Sequence, residues 1–152
     1  MSNHKAMKKS EVRNAATPDD SFWNKDTELV IREEPERKRV YDLEKRTAQF
    51  GEAIVDFAKT IPQNPITNRL ISQLVGAGTS VGANYAEGDD SVSKKDFLKS
   101  NGTCRKEVRE TKHFLRMVAR AVPELKVQAR ELWMESQGAA FDLLKDLKRS
   151  TE

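Results

Sequence analysis

One cysteine and two histidines among 152 residues leave little material for the common catalytic and metal chemistries. Cys104 has no partner for an internal disulfide, and with only His4 and His113 beside it no zinc-spaced cluster or Ser-His-Asp arrangement can be assembled. No apolar run approaches the roughly 18–20 residues that span a bilayer, so no membrane association is expected. The first twenty residues lack the apolar stretch of a secretory signal, and a cytoplasmic location is expected. Only five prolines and seven glycines are present, and no short-period repeat is evident. The inventory argues against an enzyme, and no cofactor and no bound metal are expected.

What the chain has in quantity is charge and helical pattern. Charged residues make up 34% of it and hydrophobic ones 37%, a balance that supports one domain with a modest core and solvated outer faces. Residues 1–39 are polar and show no sustained period. Such a segment buries too little surface to offset its ordering entropy, so it reads as a flexible N-terminal arm. In it, the Phe22-Trp23 pair stands out as a possible docking element. Residues 40–152 read as a helical domain.

Four seams follow, each with alternating spacings of three and four. The first carries Leu43, Thr47, Phe50, Ile54, Phe57 and Ile61, and stops at Pro62-Gln63-Asn64-Pro65. The second carries Leu70, Leu74, Ala77, Val81, Asn84 and Gly88, with Gly88-Asp89-Asp90 read as a C-terminal cap and turn. Ser93 and Asp96 resemble a capping box ahead of the third, which carries Phe97, Asn101, Cys104, Val108, Thr111, Leu115, Val118 and Val122. Pro123 suits the first turn of the fourth, with Leu125, Ala129, Leu132, Ser136, Ala139, Leu143 and Leu147. Short connections between such seams predict an all-α, antiparallel up-down-up-down four-helix bundle. Folding the chain at its turns predicts a register with Phe50, Ala77, Val108 and Ala139 in the central layer. Thr47, Val81, Cys104 and Leu143 follow, then Leu43, Asn84, Asn101 and Leu147.

Several features invite chemical readings. The run Gly76-Ala77-Gly78-Thr79-Ser80-Val81-Gly82-Ala83 lacks the Gly-Lys-Ser/Thr ending and the preceding strand of a phosphate loop. Close approach of another helix, from this chain or a second subunit, explains it better. Glu110-x-x-His113 has half-site spacing for a di-iron bundle, but the second Glu-x-x-His is missing. Cys104 falls on the seam and reads as a buried, unreactive thiol. Asn84 with Asn101, and Thr111 with Ser136, read as polar pairs that set helix register.

The third helix holds the clearest candidate surface. From Lys94 to Arg120 it carries nine cations against Asp96, Glu107 and Glu110. Arg105, Arg109, Lys112, Arg116 and Arg120 recur at helical spacing, with Lys99 before them. Phosphate contacts use such groups. A solvated face with ion pairs to neighbouring helices is the plain alternative. No aromatic platform accompanies the stripe, so base-specific reading is not expected.

Three stretches carry a family resemblance: QLVGAGTSVGANYAEG at Gln73–Gly88, SKKDF at Ser93–Phe97 and KEVRETKHFLRMV at Lys106–Val118. Together they resemble the four-helix-bundle proteins encoded within 23S rRNA intervening sequences, over about Val40 to Arg149. The chain departs from the common pattern at Val75-Gly76, where many members carry a basic residue, and at His113-Phe114, where an aromatic-Trp pair is frequent. The resemblance implies a bundle without catalytic activity that assembles into a ring, typically a homopentamer. It also implies kinship with the accessory proteins of diversity-generating retroelements, and hence RNA or a reverse-transcriptase-like protein as partner. The expected function is a non-enzymatic, oligomeric interaction protein that contacts RNA or an RNA-bound partner through Lys99, Arg105, Arg109, Lys112, Arg116 and Arg120. A protein-binding scaffold without nucleic-acid contact is the alternative.

Overall fold

The computed structural model describes residues 22–23 and 36–151. The chain separates into Met1–Arg32 and Glu33–Glu152. Within the first unit, the rings of Phe22 and Trp23 meet edge to face with centroids 5.0 Å apart. The rest of the expected arm up to residue 35 lies outside the described residues.

The second unit is an antiparallel four-helix bundle: α1 (Glu36–Thr60), α2 (Pro65–Asp89), α3 (Lys94–Ala121) and α4 (Lys126–Thr151). Among the described residues there is no strand. The first helix starts at Glu36, one turn before the expected Val40. Each helix packs on the next, and α1 closes the ring against α4 along its thinnest side. There Arg46 reaches Asp142, and Gly138 leaves room for the guanidinium.

Helix ends follow local chemistry. Asn64 Oδ1 accepts from the backbone N–H groups of Ile66 (3.0 Å) and Thr67 (2.9 Å), while Thr67 Oγ1 accepts from Asn64 N–H (2.9 Å). This reciprocal capping box, with Pro65 in the first turn, starts α2. Ser93 Oγ accepts from Asp96 N–H at 3.1 Å, but Asp96 does not return the bond, its side chain being a methylene shorter than the usual Glu. Pro123 opens a short 3-10 turn, Pro123–Leu125, that leads into α4.

The predicted seams form the core. Phe50, Ile54, Leu74, Ala77, Val81, Cys104, Val108, Leu115, Ala139 and Leu143 are all buried. The register also holds. The Cys104 thiol donates to the Val81 carbonyl at 3.4 Å, and a Cβ built on Gly82 would sit 3.3 Å from the Thr47 carbonyl. A one-heptad slip would displace these partners by about 10 Å.

One expectation is corrected and two are made specific. The small-residue run packs on another helix as expected, and from Gly78 to Gly82 that helix is α1 of the same chain: Gly51 lies 3.5 Å, measured from its built Cβ, from the Gly78 carbonyl oxygen and Thr79 Cα. The second helix ends at Gly88-Asp89-Asp90 as expected, with the Asp90 N–H donating to the Ala86 carbonyl at 3.2 Å; Gly88 itself keeps a negative φ and is buried, with a built Cβ 2.7 Å from Ser100 Cβ, so it admits α3. The polar seam residues do not pair with one another. Thr111 Oγ1 donates to the Glu107 carbonyl and Ser136 Oγ to the Leu132 carbonyl, both at 2.8 Å. Asn84 donates to Ser80 O (2.8 Å) and Asn101 to Leu143 O (3.2 Å). A hydroxyl on a helix always has the carbonyl four residues back within reach, which makes a cross-helix partner unnecessary.

Candidate nucleic-acid interface

Helix α3 turns Asn101, Cys104, Val108, Thr111, Leu115 and Val118 into the core. That inner row fixes an outer one. Lys95, Lys99, Gly102, Lys106, Arg109, His113, Arg116 and Arg120 repeat the same alternation of four and three, and all are exposed. The row runs about 38 Å at 1.5 Å per residue. It carries six cations and no carboxylate. Asp96, Glu107 and Glu110 lie off its line, although Lys106 Nζ comes within 4.0 Å of Glu110, a surface pair worth little against phosphate.

Of the residues expected to form the stripe, Lys99, Arg109, Arg116 and Arg120 stand on this row. Arg105 and Lys112 are half-buried on its flank, and Lys112 Nζ sits 4.3 Å above the ring of buried Trp133 on α4. Each is one residue, about 100° of rotation, past a core position, so neither points straight outward. Lys95, Lys106, Gly102 and His113 belong to the row but not to the stripe read from cation spacing. The readable signal was the row offset two residues from the seam.

Other candidate chemistry is quiet. Burial pushes the Cys104 thiol up to about 12, the opposite of an activated nucleophile. The His113 ring packs edge-on to Phe114 at 5.2 Å. Among the described residues, no group of three or more His, Cys, Asp or Glu is placed to hold a metal ion. A shallow groove of about 450 Å³ lies between α1 and α2, with Gly51, Gly82 and Ala83 along it and Glu52 and Asp56 among its lining.

At the opposite end of the bundle from the Pro62–Pro65 turn, Tyr85 is buried and hydrogen-bonds Asp146. Burial raises the Asp146 carboxyl above its usual range; Arg149 and the Tyr85 bond pull it down, Asp89 pushes it up, and burial prevails. Glu107 is raised by burial and then by Glu110. A carboxyl raised in the folded state binds its proton more tightly there than in the unfolded chain. Its contribution to stability therefore grows as pH falls through the raised value, toward the ordinary ~4, and is lost as pH rises. Denaturant titrations from neutral to mildly acidic pH should show wild type gaining on Asp146→Asn as pH drops. Parallel curves would mean that Asp146 is not perturbed.

Fold and surface together define a small all-α bundle with a cationic outer helix. The chain belongs to the 23S rRNA-intervening sequence protein family, whose pattern it matches over residues 39–132. Among solved structures it is similar to a protein of unknown function from the S23 ribosomal protein family of Bacteroides thetaiotaomicron. The two share 23% identity, with a TM-score of 0.63 over 70% of this chain and 98% of the other. That likeness speaks to the fold. No curated protein matches the chain. Among the described residues, no helix is long and apolar enough to cross a membrane.

Proposed function

We propose that this is a non-enzymatic interaction protein that binds RNA, or an RNA-bound partner such as a reverse-transcriptase-like protein, through the outer row of α3. The observation that carries the reading is six exposed cations on one straight helical line with no carboxylate among them. Phosphate contacts of this kind are long-range, salt-dependent and blind to sequence. Self-association would multiply the row. It is supported by Ile66 and Val127, exposed at 70% and 66%, and by the half-buried Phe114, Met117 and Phe141. A pentamer is the assembly that the sequence resemblance implies, and a cytoplasmic location fits a chain with one buried, unpaired cysteine.

Replacing Lys99, Lys106, Arg109 and Arg116 with Gln should weaken RNA binding while leaving helicity intact. Each lost contact should flatten the slope of log affinity against log salt by roughly 0.7–0.9. Equal binding by wild type and variant would reduce the row to a solvated surface. The scaffold reading has one feature of its own in its favour. From Leu70 to Ala86, α2 carries no charged residue, and beside it runs the α1–α2 groove. If wild type binds no RNA at any salt concentration, that reading takes first place.

A further inference from the structure

All seven glycines of the chain lie within helices, where glycine is the least favourable residue after proline. Five answer to packing. A Cβ on Gly78 or Gly82 would press on the α1–α2 contact, one on Gly51 would lie in ordinary contact with the α2 backbone, one on Gly88 would meet Ser100, and one on Gly138 would meet the Arg46 guanidinium. Gly76 and Gly102 have nothing within 4 Å of a built Cβ, and both are exposed. Nothing within the bundle accounts for these two. Gly76 faces out from the uncharged stretch of α2. Gly102 has a different setting: it stands in the cationic row, three residues after Lys99 and four before Lys106.

We propose that Gly102 is the point where the phosphodiester backbone of an RNA duplex comes nearest to α3, an inference that rests on the RNA-binding reading. Without a side chain, the helix backbone itself is the surface, and a ligand approaches more closely there than anywhere else along the row. Lys99 and Lys106 flank this notch, about 4.5 and 6 Å away along the axis, each with a long flexible stem. Two ammonium groups can thus close on one phosphate from either side, with Lys95 and Arg109 next in line. Among the described residues neither Lys95, Lys99 nor Arg109 is engaged in an ion pair. The row contains no Phe, Tyr or Trp on which unstacked bases could rest, and its single ring, that of His113, is packed edge-on with Phe114. A single strand depends on such platforms; a duplex keeps its bases stacked inside and presents only backbone.

The test uses the full chain and fluorescence anisotropy, at about 100 mM salt, with an RNA duplex of about 20 base pairs and with one of its strands alone. Gly102→Ala should weaken duplex binding by about tenfold, the loss of one charge-assisted contact, while raising the thermal midpoint. Gly76→Ala should raise the midpoint equally and leave affinity unchanged. The duplex should bind more tightly than the strand. The proposal is overturned if Gly102→Ala binds the duplex within about twofold of wild type, or if the strand binds more tightly than the duplex. If RNA binding still depends on Lys99 and Lys106 in either case, only this inference falls. If wild type binds neither probe, the RNA-binding reading falls with it.

Discussion

Truncating Phe50 to alanine should cost the bundle about 3–5 kcal/mol, the range for removing a buried phenylalanine. That is a large share of the ~5–15 kcal/mol that holds a typical domain together. Phe50 is buried, and the sequence register sets it in the central layer with Ala77 and Ala139, which are themselves buried and too small to fill the space. The loss has two parts, the transfer of the ring from the core to nothing and the cavity left behind. Cavity costs shrink when helices collapse inward, but here they cannot. The α1 and α2 backbones already touch at Gly51, where a built Cβ sits 3.5 Å from Thr79 Cα, and at Gly82 against Thr47. The cavity therefore stays open and the upper half of the range is expected. Denaturant unfolding followed by far-UV circular dichroism measures it. A loss below about 1 kcal/mol would mean that the ring is not packed where the structure has it.

The residues that made this layer legible were ordinary. Apolar and small residues at spacings of three and four, broken by Pro62, Pro65 and Pro123, state both the helices and their inward faces. Partnership inside the core was less legible. Asn84 and Asn101, or Thr111 and Ser136, are paired in the sequence register, yet each bonds elsewhere: Asn84, Thr111 and Ser136 use the carbonyl four residues back on their own helix, at lower conformational expense, and Asn101 crosses to the Leu143 carbonyl on α4. Buried residues beside the seams were also hidden. Tyr85, Trp133 and Gln137 carry polar atoms and fall one residue past a seam position, so spacing alone assigns them to the flank. The same one-residue ambiguity explains the candidate surface. Cation spacing selected Arg105 and Lys112, which lie against the bundle, and passed over Lys95 and Lys106, which face solvent. Outward direction is set by the whole core arc of α3, which only its packing partners define.

Gly78→Leu should be nearly as damaging as the loss of Phe50, from the opposite cause. Gly78 is buried, and a Cβ there would fall 2.8 Å from Ile54 Cγ2 and 2.9 Å from its Cγ1. Neither contact is with the free end of a flexible chain, and Ile54 is itself fully buried, so it has nowhere to move. Leaving glycine in a helix gains up to ~1 kcal/mol of propensity. Overpacking on this scale removes typically about 1–3 kcal/mol and more where backbones are in contact, so a net loss of about 3 kcal/mol is expected. Two residues away, Gly76→Ala should go the other way and stabilise by about 0.5–1 kcal/mol, since open space surrounds it. A second substitution separates overpacking from a general intolerance of leucine on α2. Ile54→Ala alone should destabilise by about 2–5 kcal/mol through its cavity. Combined with Gly78→Leu, it supplies the volume that the leucine needs, and the double variant should be more stable than the sum of the two single losses by at least about 1 kcal/mol. Strict additivity would show that Ile54 and Gly78 do not share one packing site, and would remove the close α1–α2 approach as the reason for the small-residue run.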